Sequence, residues 1–104
     1  MPTKPDATKE LAGALRALGH PVRIQLLAGA EEGVKLSPTR AREWVPDVPL
    51  GTLAYHVRCL AVAGLLRRAG QSPRRGAVEH FYLLTPLGSR LAAVVEQLRS
   101  RGLA

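Results

Sequence analysis

Leu11, Ala14, Leu15 and Leu18 fall at the three- and four-residue intervals of one helical face, which predicts a helix opening at Asp6 as N-cap after a disordered leader, residues 1–5. Gly19 is expected to close that helix in the left-handed conformation, and Pro21 to open the next at its first position, where a missing N–H does no harm. This second helix, Pro21 to about Ala30, turns Ile24, Leu26 and Leu27 to the core and stops at Glu31, Glu32 and Gly33. Ser37 followed by Pro38 reads as a hydroxyl N-cap with proline at the first helical position, predicting a third helix to about Val45. Pro46 closes it, and Val45 to Pro49 read as a short, stiff turn. Leu53, Val57 and Leu60 then mark a fourth helix from Leu50 to Ala63. Trp44 is expected to pack over the turn and set the angle between these two helices.

After Gly64 the period changes. Leu65 to Arg68 and Val78 to Leu84 read as two strands around a Gly/Pro/Ser-rich tip, Gly70 to Gly76, and so as a β-hairpin. Pro86 opens a last helix with a stripe of Leu87, Leu91, Val94, Val95 and Leu98 that fades at Arg101 and Gly102. The order α-α-α-α-β-β-α, mainly helical with one small hairpin, is that of a winged helix-turn-helix domain spanning residues 6–101. In that arrangement the helix at about 50–63 enters the major groove of DNA, and the hairpin at about 65–84 is the wing.

Charge sharpens the picture. With 104 residues the chain suits one domain, and a formal charge of +7 asks for a polyanionic partner, nucleic acid ahead of an anionic membrane surface. Between Asp47 and Glu79 there is no acidic residue, whereas Arg58, Arg67, Arg68, Arg74 and Arg75 all lie there. With Leu53, Val57 and Leu60 turned inward, Gly51, Thr52, Tyr55, Arg58 and Cys59 fall on or near the outward face of the fourth helix. Gly51 and Thr52 suit a phosphate at the helix start, and Arg58 suits a guanine edge or a phosphate. Thr39 and Arg40 at the start of the third helix, and Arg68, Arg74 and Arg75 on the wing, complete the candidate contacts with double-stranded DNA. His56 sits at the edge of the buried face, where a structural hydrogen bond is the first reading and a DNA contact the second.

Other chemistry finds little material. Cys59 is the single cysteine, so no intramolecular disulfide and no Cys pair for zinc exists, and it reads as an apolar filler before a redox sensor. His20, His56 and His80 lack a short metal-ligand spacing, so neither a metal nor another cofactor is expected. No phosphate-cradling Gly-rich loop or nucleophile elbow is present, and carboxylates are few, so catalysis is not expected. No apolar run approaches the roughly 20 residues of a membrane span, and the first residues lack a signal peptide's apolar core. A cytoplasmic protein without a membrane partner is the expectation.

Residues 18–27 (LGHPVRIQLL) resemble the second-helix signature of ArsR-type bacterial regulators. Residues 52–60 (TLAYHVRCL) with 63–66 (AGLL) resemble their recognition helix, and residues 73–82 (PRRGAVEHFY) look like the wing of a metal-independent, actinobacterial-like branch. The resemblance, over roughly residues 11–90, implies a homodimeric transcription regulator that joins its first and last helices across the dimer and reads a roughly palindromic operator. Leu11, Leu15, Leu87, Leu91, Val94 and Leu98 are the candidate interface, although the last stripe equally suits the monomer's own core. The chain departs from the family in having neither Cys nor His between Ser37 and Val45, so metal-triggered release is not expected and any effector is unknown. The proline-rich turn at 45–49 is longer than the family pattern, and Arg42 stands where a small residue is usual. Two other functions suit the same fold: a protein-interaction module, and an architectural DNA binder with little sequence preference.

Overall fold

Three prolines start three helices. In the computed structural model, which describes residues 7–103, Pro21, Pro38 and Pro86 each occupy the first turn of a helix behind a capping side chain. The elements run α1 (Thr8–Ala17), α2 (Pro21–Gly29), α3 (Pro38–Ala41), α4 (Leu50–Val62), β1 (Leu66–Arg74), β2 (Ala77–Leu84) and α5 (Pro86–Arg101). The expected leader and Asp6 lie outside the described residues, and the N-cap of α1 is Ala7, without a side-chain capping bond.

Gly19 does not take the expected left-handed conformation. Leu18 caps α1 in the right-handed region and the Gly19 N–H bonds to the Arg16 carbonyl at 3.1 Å. His20 is extended, as a residue before proline must be, and its Nδ1 accepts from the Val22 N–H at 3.2 Å, so a histidine caps α2. Within α2, Leu26 and Leu27 are fully buried, while Ile24 is only partly so.

The third helix is shorter than predicted. Ser37 caps it through the Arg40 N–H at 3.2 Å, but after Ala41 the chain tightens into turns, with Glu43 N–H on the Arg40 carbonyl and Trp44 N–H on the Ala41 carbonyl, each at 3.1 Å. Val45 precedes Pro46, and the proline ring disfavours helical geometry there, so the regular helix cannot reach Val45. Trp44 packs against α2 at Gly29, where a Cβ would collide with the indole ring.

α4 ends in a Schellman motif. Gly64 at φ 84° is left-handed, its N–H reaches Ala61 at 3.1 Å, and the Leu65 N–H reaches Leu60 at 3.0 Å. Leu60 and Leu65, the residues that meet in this motif, are both fully buried.

The strands extend further toward the tip than predicted. β1 and β2 pair antiparallel from Leu66↔Leu84 to Arg74↔Ala77, so the tip is Arg75 and Gly76 alone. Both have positive φ, 48° and 80°, as a type I′ turn requires. An irregularity between Arg68 and Gln71, containing Gly70 at φ 113°, gives β1 one extra residue. Leu36 adds a one-residue third strand: its N–H and carbonyl bond to Tyr82 at 2.8 and 2.7 Å.

The core gathers Ala14, Leu18, Leu26, Leu27, Leu53, Val57, Leu60 and Leu65 with Tyr82 as its aromatic member. Leu87, Leu91 and Val95 of α5 pack on it, whereas Val94 and Leu98 stay half exposed, as do Leu11 and Leu15 of α1. The apolar stripe of α5 therefore divides between the chain's own core and its surface.

Candidate nucleic-acid interface

Burying Leu53, Val57 and Leu60 fixes the rotation of α4 and leaves Gly51, Thr52, Tyr55 and Arg58 exposed, with Cys59 partly covered. Arg67, Arg68, Arg74 and Arg75 are exposed along the hairpin. Between α4, the start of α3 and the wing lies a recess of about 280 Å³, lined by Thr39, Ala54, Arg58, Arg68 and His80 among others. The Arg68 guanidinium lies 2.8 Å from His80 Nδ1 and stands over the Tyr82 ring, which holds it across the strand pair.

Glu79, which ends the acid-free stretch, is folded away. Its carboxylate accepts from the buried Ser37 hydroxyl at 2.5 Å, and its other oxygen faces Arg74 at 3.6 Å. The wing is thus tied to the cap of α3, and the side chain of Glu79 is only 9% exposed, so it contributes little negative surface among the arginines.

Two candidate contacts stand apart from this cluster. Arg40 donates to the Lys35 carbonyl at 3.1 Å and covers the Phe81 ring, lining a different recess with Trp44 and Gly29. His56 takes the structural role that was its first reading: it is 5% exposed and its Nδ1 accepts from Arg23 Nε at 3.0 Å. The His20 ring lies against it at 4.3 Å and the Tyr55 ring at 5.3 Å. No group of three metal-ligating side chains occurs among the described residues. Neither the Ser37–Glu79 tie nor the Arg23–His56 bond was legible in the sequence, because each joins residues distant along the chain.

Burial holds the His56 pKa below its ordinary 6.5, and the neighbouring His20 and Arg23 lower it further. The unfolded chain therefore binds this proton more tightly than the folded one. Stability attached to His56 is whole above the ordinary value and is lost as pH falls through the lowered one. The expected result is a drop in the urea midpoint between about pH 7.5 and about pH 5 that is smaller in His56→Gln, since the amide oxygen can still accept from Arg23 but does not titrate. Equal drops in both proteins would remove the assignment.

Two solved structures share the arrangement of helices and hairpin. One is the homodimeric winged helix-turn-helix DNA-binding domain of a possible ArsR-family transcriptional regulator from Mycobacterium bovis, with a TM-score of 0.64 and 20% identity, covering 100% of this chain and 94% of that one. The fold is a winged helix-turn-helix. A second match, the diamide-treated YodB of B. subtilis, has a TM-score of 0.57 and 21% identity and covers 94% and 92% of the two chains. No protein-family model and no curated protein matches the sequence. In winged-helix terms, α3 and α4 are the helix-turn-helix pair and β1 and β2 the wing. No helix among the described residues is long and apolar enough to cross a membrane.

Proposed function

We propose that this chain is a DNA-binding transcription regulator of the ArsR type, with α4 in the major groove and the wing on the backbone or in the minor groove. The observation that carries the reading is that Arg58 and Arg68 line one recess between α4 and the wing and Arg74 and Arg75 line another beside the start of α4, while the carboxylate among them is turned inward. Thr52 and Gly51 at the start of α4 supply a hydroxyl and free backbone N–H groups for a phosphate. The likeness to DNA-binding domains supports the same reading, as do the sequence signatures of residues 18–27 and 52–66.

The regulator acts as a homodimer. Leu11, Leu15, Val94 and Leu98 leave about half of each side chain in water, and covering them against a second copy joins α1 and α5 across a twofold axis. Leu87 and Leu91 support that surface from the core side. Two recognition helices so related meet successive major grooves about 34 Å apart.

The test is a fluorescence-anisotropy titration of the promoter upstream of its own gene and of a scrambled duplex at two salt concentrations, with Arg74→Ala/Arg75→Ala alongside. The promoter is expected to bind more tightly. The double variant weakens both duplexes and makes the salt dependence shallower by about two units, for two lost phosphate contacts. Equal affinity for both duplexes makes the protein an architectural binder. Absence of binding, even after selection from random DNA, leaves the fold as a protein-interaction module.

A further inference from the structure

On the side of the molecule where α1 and α2 meet the outward face of α4 lies an open groove of about 600 Å³. Ala17, Cys59, Val62 and Ala63 give it an apolar lining, and Val62 is 90% exposed. Arg16, Arg23 and Arg58 also line it, and none of its lining residues is acidic. Arg23 is engaged, through Nε to His56 and through a terminal nitrogen to the Ala17 carbonyl at 3.2 Å. Arg16 and Arg58, by contrast, have no ion pair or side-chain hydrogen bond among the described residues.

An apolar trough with free guanidinium groups is complementary to a molecule that carries an acid on an apolar body. The body removes Val62 and Cys59 from water while the carboxylate accepts from the planar donor forks. A bare phosphate satisfies only the arginines and leaves the apolar lining wet. The groove also stays open in a dimer built on Leu11 and Leu15: at about 100° per residue, Gly13 and Ala17 lie on the other flank of the buried Ala14 and Leu18 stripe.

We propose that this groove binds an organic carboxylate with an aromatic or branched apolar body, its acid held by Arg16 and Arg58 and its body seated on Ala17, Cys59 and Val62. Because Tyr55 and Arg58 border both the groove and the proposed DNA face, an occupant competes with DNA. That coupling rests on the DNA-binding reading, whereas occupancy of the groove does not.

The single cysteine reports occupancy directly. The full chain is alkylated with iodoacetamide in the presence of 2-naphthoate or its uncharged isostere 2-naphthamide, and Cys59 modification is followed by mass spectrometry. Amide NMR shifts at Ala17 and Ala63 are recorded in parallel. Naphthoate at ten times its dissociation constant is expected to slow alkylation about tenfold, as occupancy by mass action requires. Naphthamide at the same concentration protects far less. Arg16→Gln, with its helix content checked by circular dichroism, weakens naphthoate protection about tenfold, the effect of losing a charged hydrogen-bond donor. Equal protection by the amide, protection unaltered by Arg16→Gln, or neither protection nor shifts at millimolar naphthoate would overturn the proposal. A protein that shows charge-selective protection yet binds no duplex keeps the groove site and loses the DNA reading; one that leaves its duplex without Cys59 protection loses the groove site.

Discussion

Replacing Gly88 by alanine is expected to lower the free energy of unfolding by about 3 kcal/mol, in the upper range for overpacking a rigid site. Gly88 is the buried residue of the first turn of α5, and a Cβ there would overlap the Leu65 carbonyl oxygen, with the Leu65 carbonyl carbon at 2.9 Å. The obstacle is backbone, so no rotamer change removes it. That backbone is itself fixed: Leu65 N–H closes the end of α4, and the Leu65 carbonyl accepts from the Thr85 N–H at 3.1 Å. Thr85 adds a hydroxyl donated to the Gly64 carbonyl at 2.6 Å and accepts from the Gly88 N–H at 3.0 Å. Relief therefore requires α5 to move away from the junction where α4 passes into the wing. Urea unfolding measures the effect. Gly13→Ala is the control, since nothing lies within 4 Å of its Cβ position in the helical interior of α1, and it should gain up to about 1 kcal/mol. A Gly88→Ala midpoint equal to the parent's would show that α5 does not need this close approach.

Helix starts were legible because they depend on neighbouring residues. Ser37 before Pro38 offers a capping oxygen and an N–H-free first position in the same two residues. Helix ends were less so, as the two glycines that follow helices demonstrate. Gly64 is left-handed because Leu65 after it is apolar and packs with Leu60, completing the Schellman contact. Gly19 is followed instead by His20 and Pro21, whose extended entry into α2 directs the chain away, so the same residue type in the same sequence position takes another conformation.

The wing illustrates a different limit. Gly70 and Pro73 within a polar stretch read locally as loop, yet both lie in a strand: Gly70 occupies the irregularity of β1, and Pro73 pairs with Val78 in a two-stranded ribbon whose outer edge needs no donor. Register, set from the turn at Arg75 and Gly76, overrides local propensity there. For the candidate site, the helical period alone gave the outward face of α4, while the roles of His56 and Arg40 depended on which distant groups met them. Arg23 and His20 arrive at His56 from another helix and its cap, and Phe81 arrives at Arg40 from the wing.

Ser37→Ala is expected to cost about 2 to 3 kcal/mol and to loosen the wing, although Ser37 belongs to neither strand. The fully buried hydroxyl has two tasks: it accepts from the Arg40 N–H at the start of α3 and donates to Glu79 of β2. Losing the cap alone costs about 1 kcal/mol, and leaving a largely buried carboxylate without its donor adds about 1 to 2 kcal/mol. Arg74 cannot compensate, because it is more than half exposed and its 3.6 Å pair with Glu79 is weakened by water. The two tasks separate in a double-mutant cycle with Glu79→Leu: a coupling of about 1 kcal/mol or more identifies the tie between α3 and the wing, and a coupling near zero leaves Ser37 as a cap only. Amide exchange supplies the spatial readout. If the tie holds the hairpin, the Glu79 amide, which faces β1, exchanges faster in Ser37→Ala while the Leu60 and Leu65 amides, protected by the end of α4, change only with global stability. Arginines carried on a loosened hairpin must be ordered again when they meet phosphate, so under the DNA-binding reading the variant binds its operator more weakly although every arginine is still present.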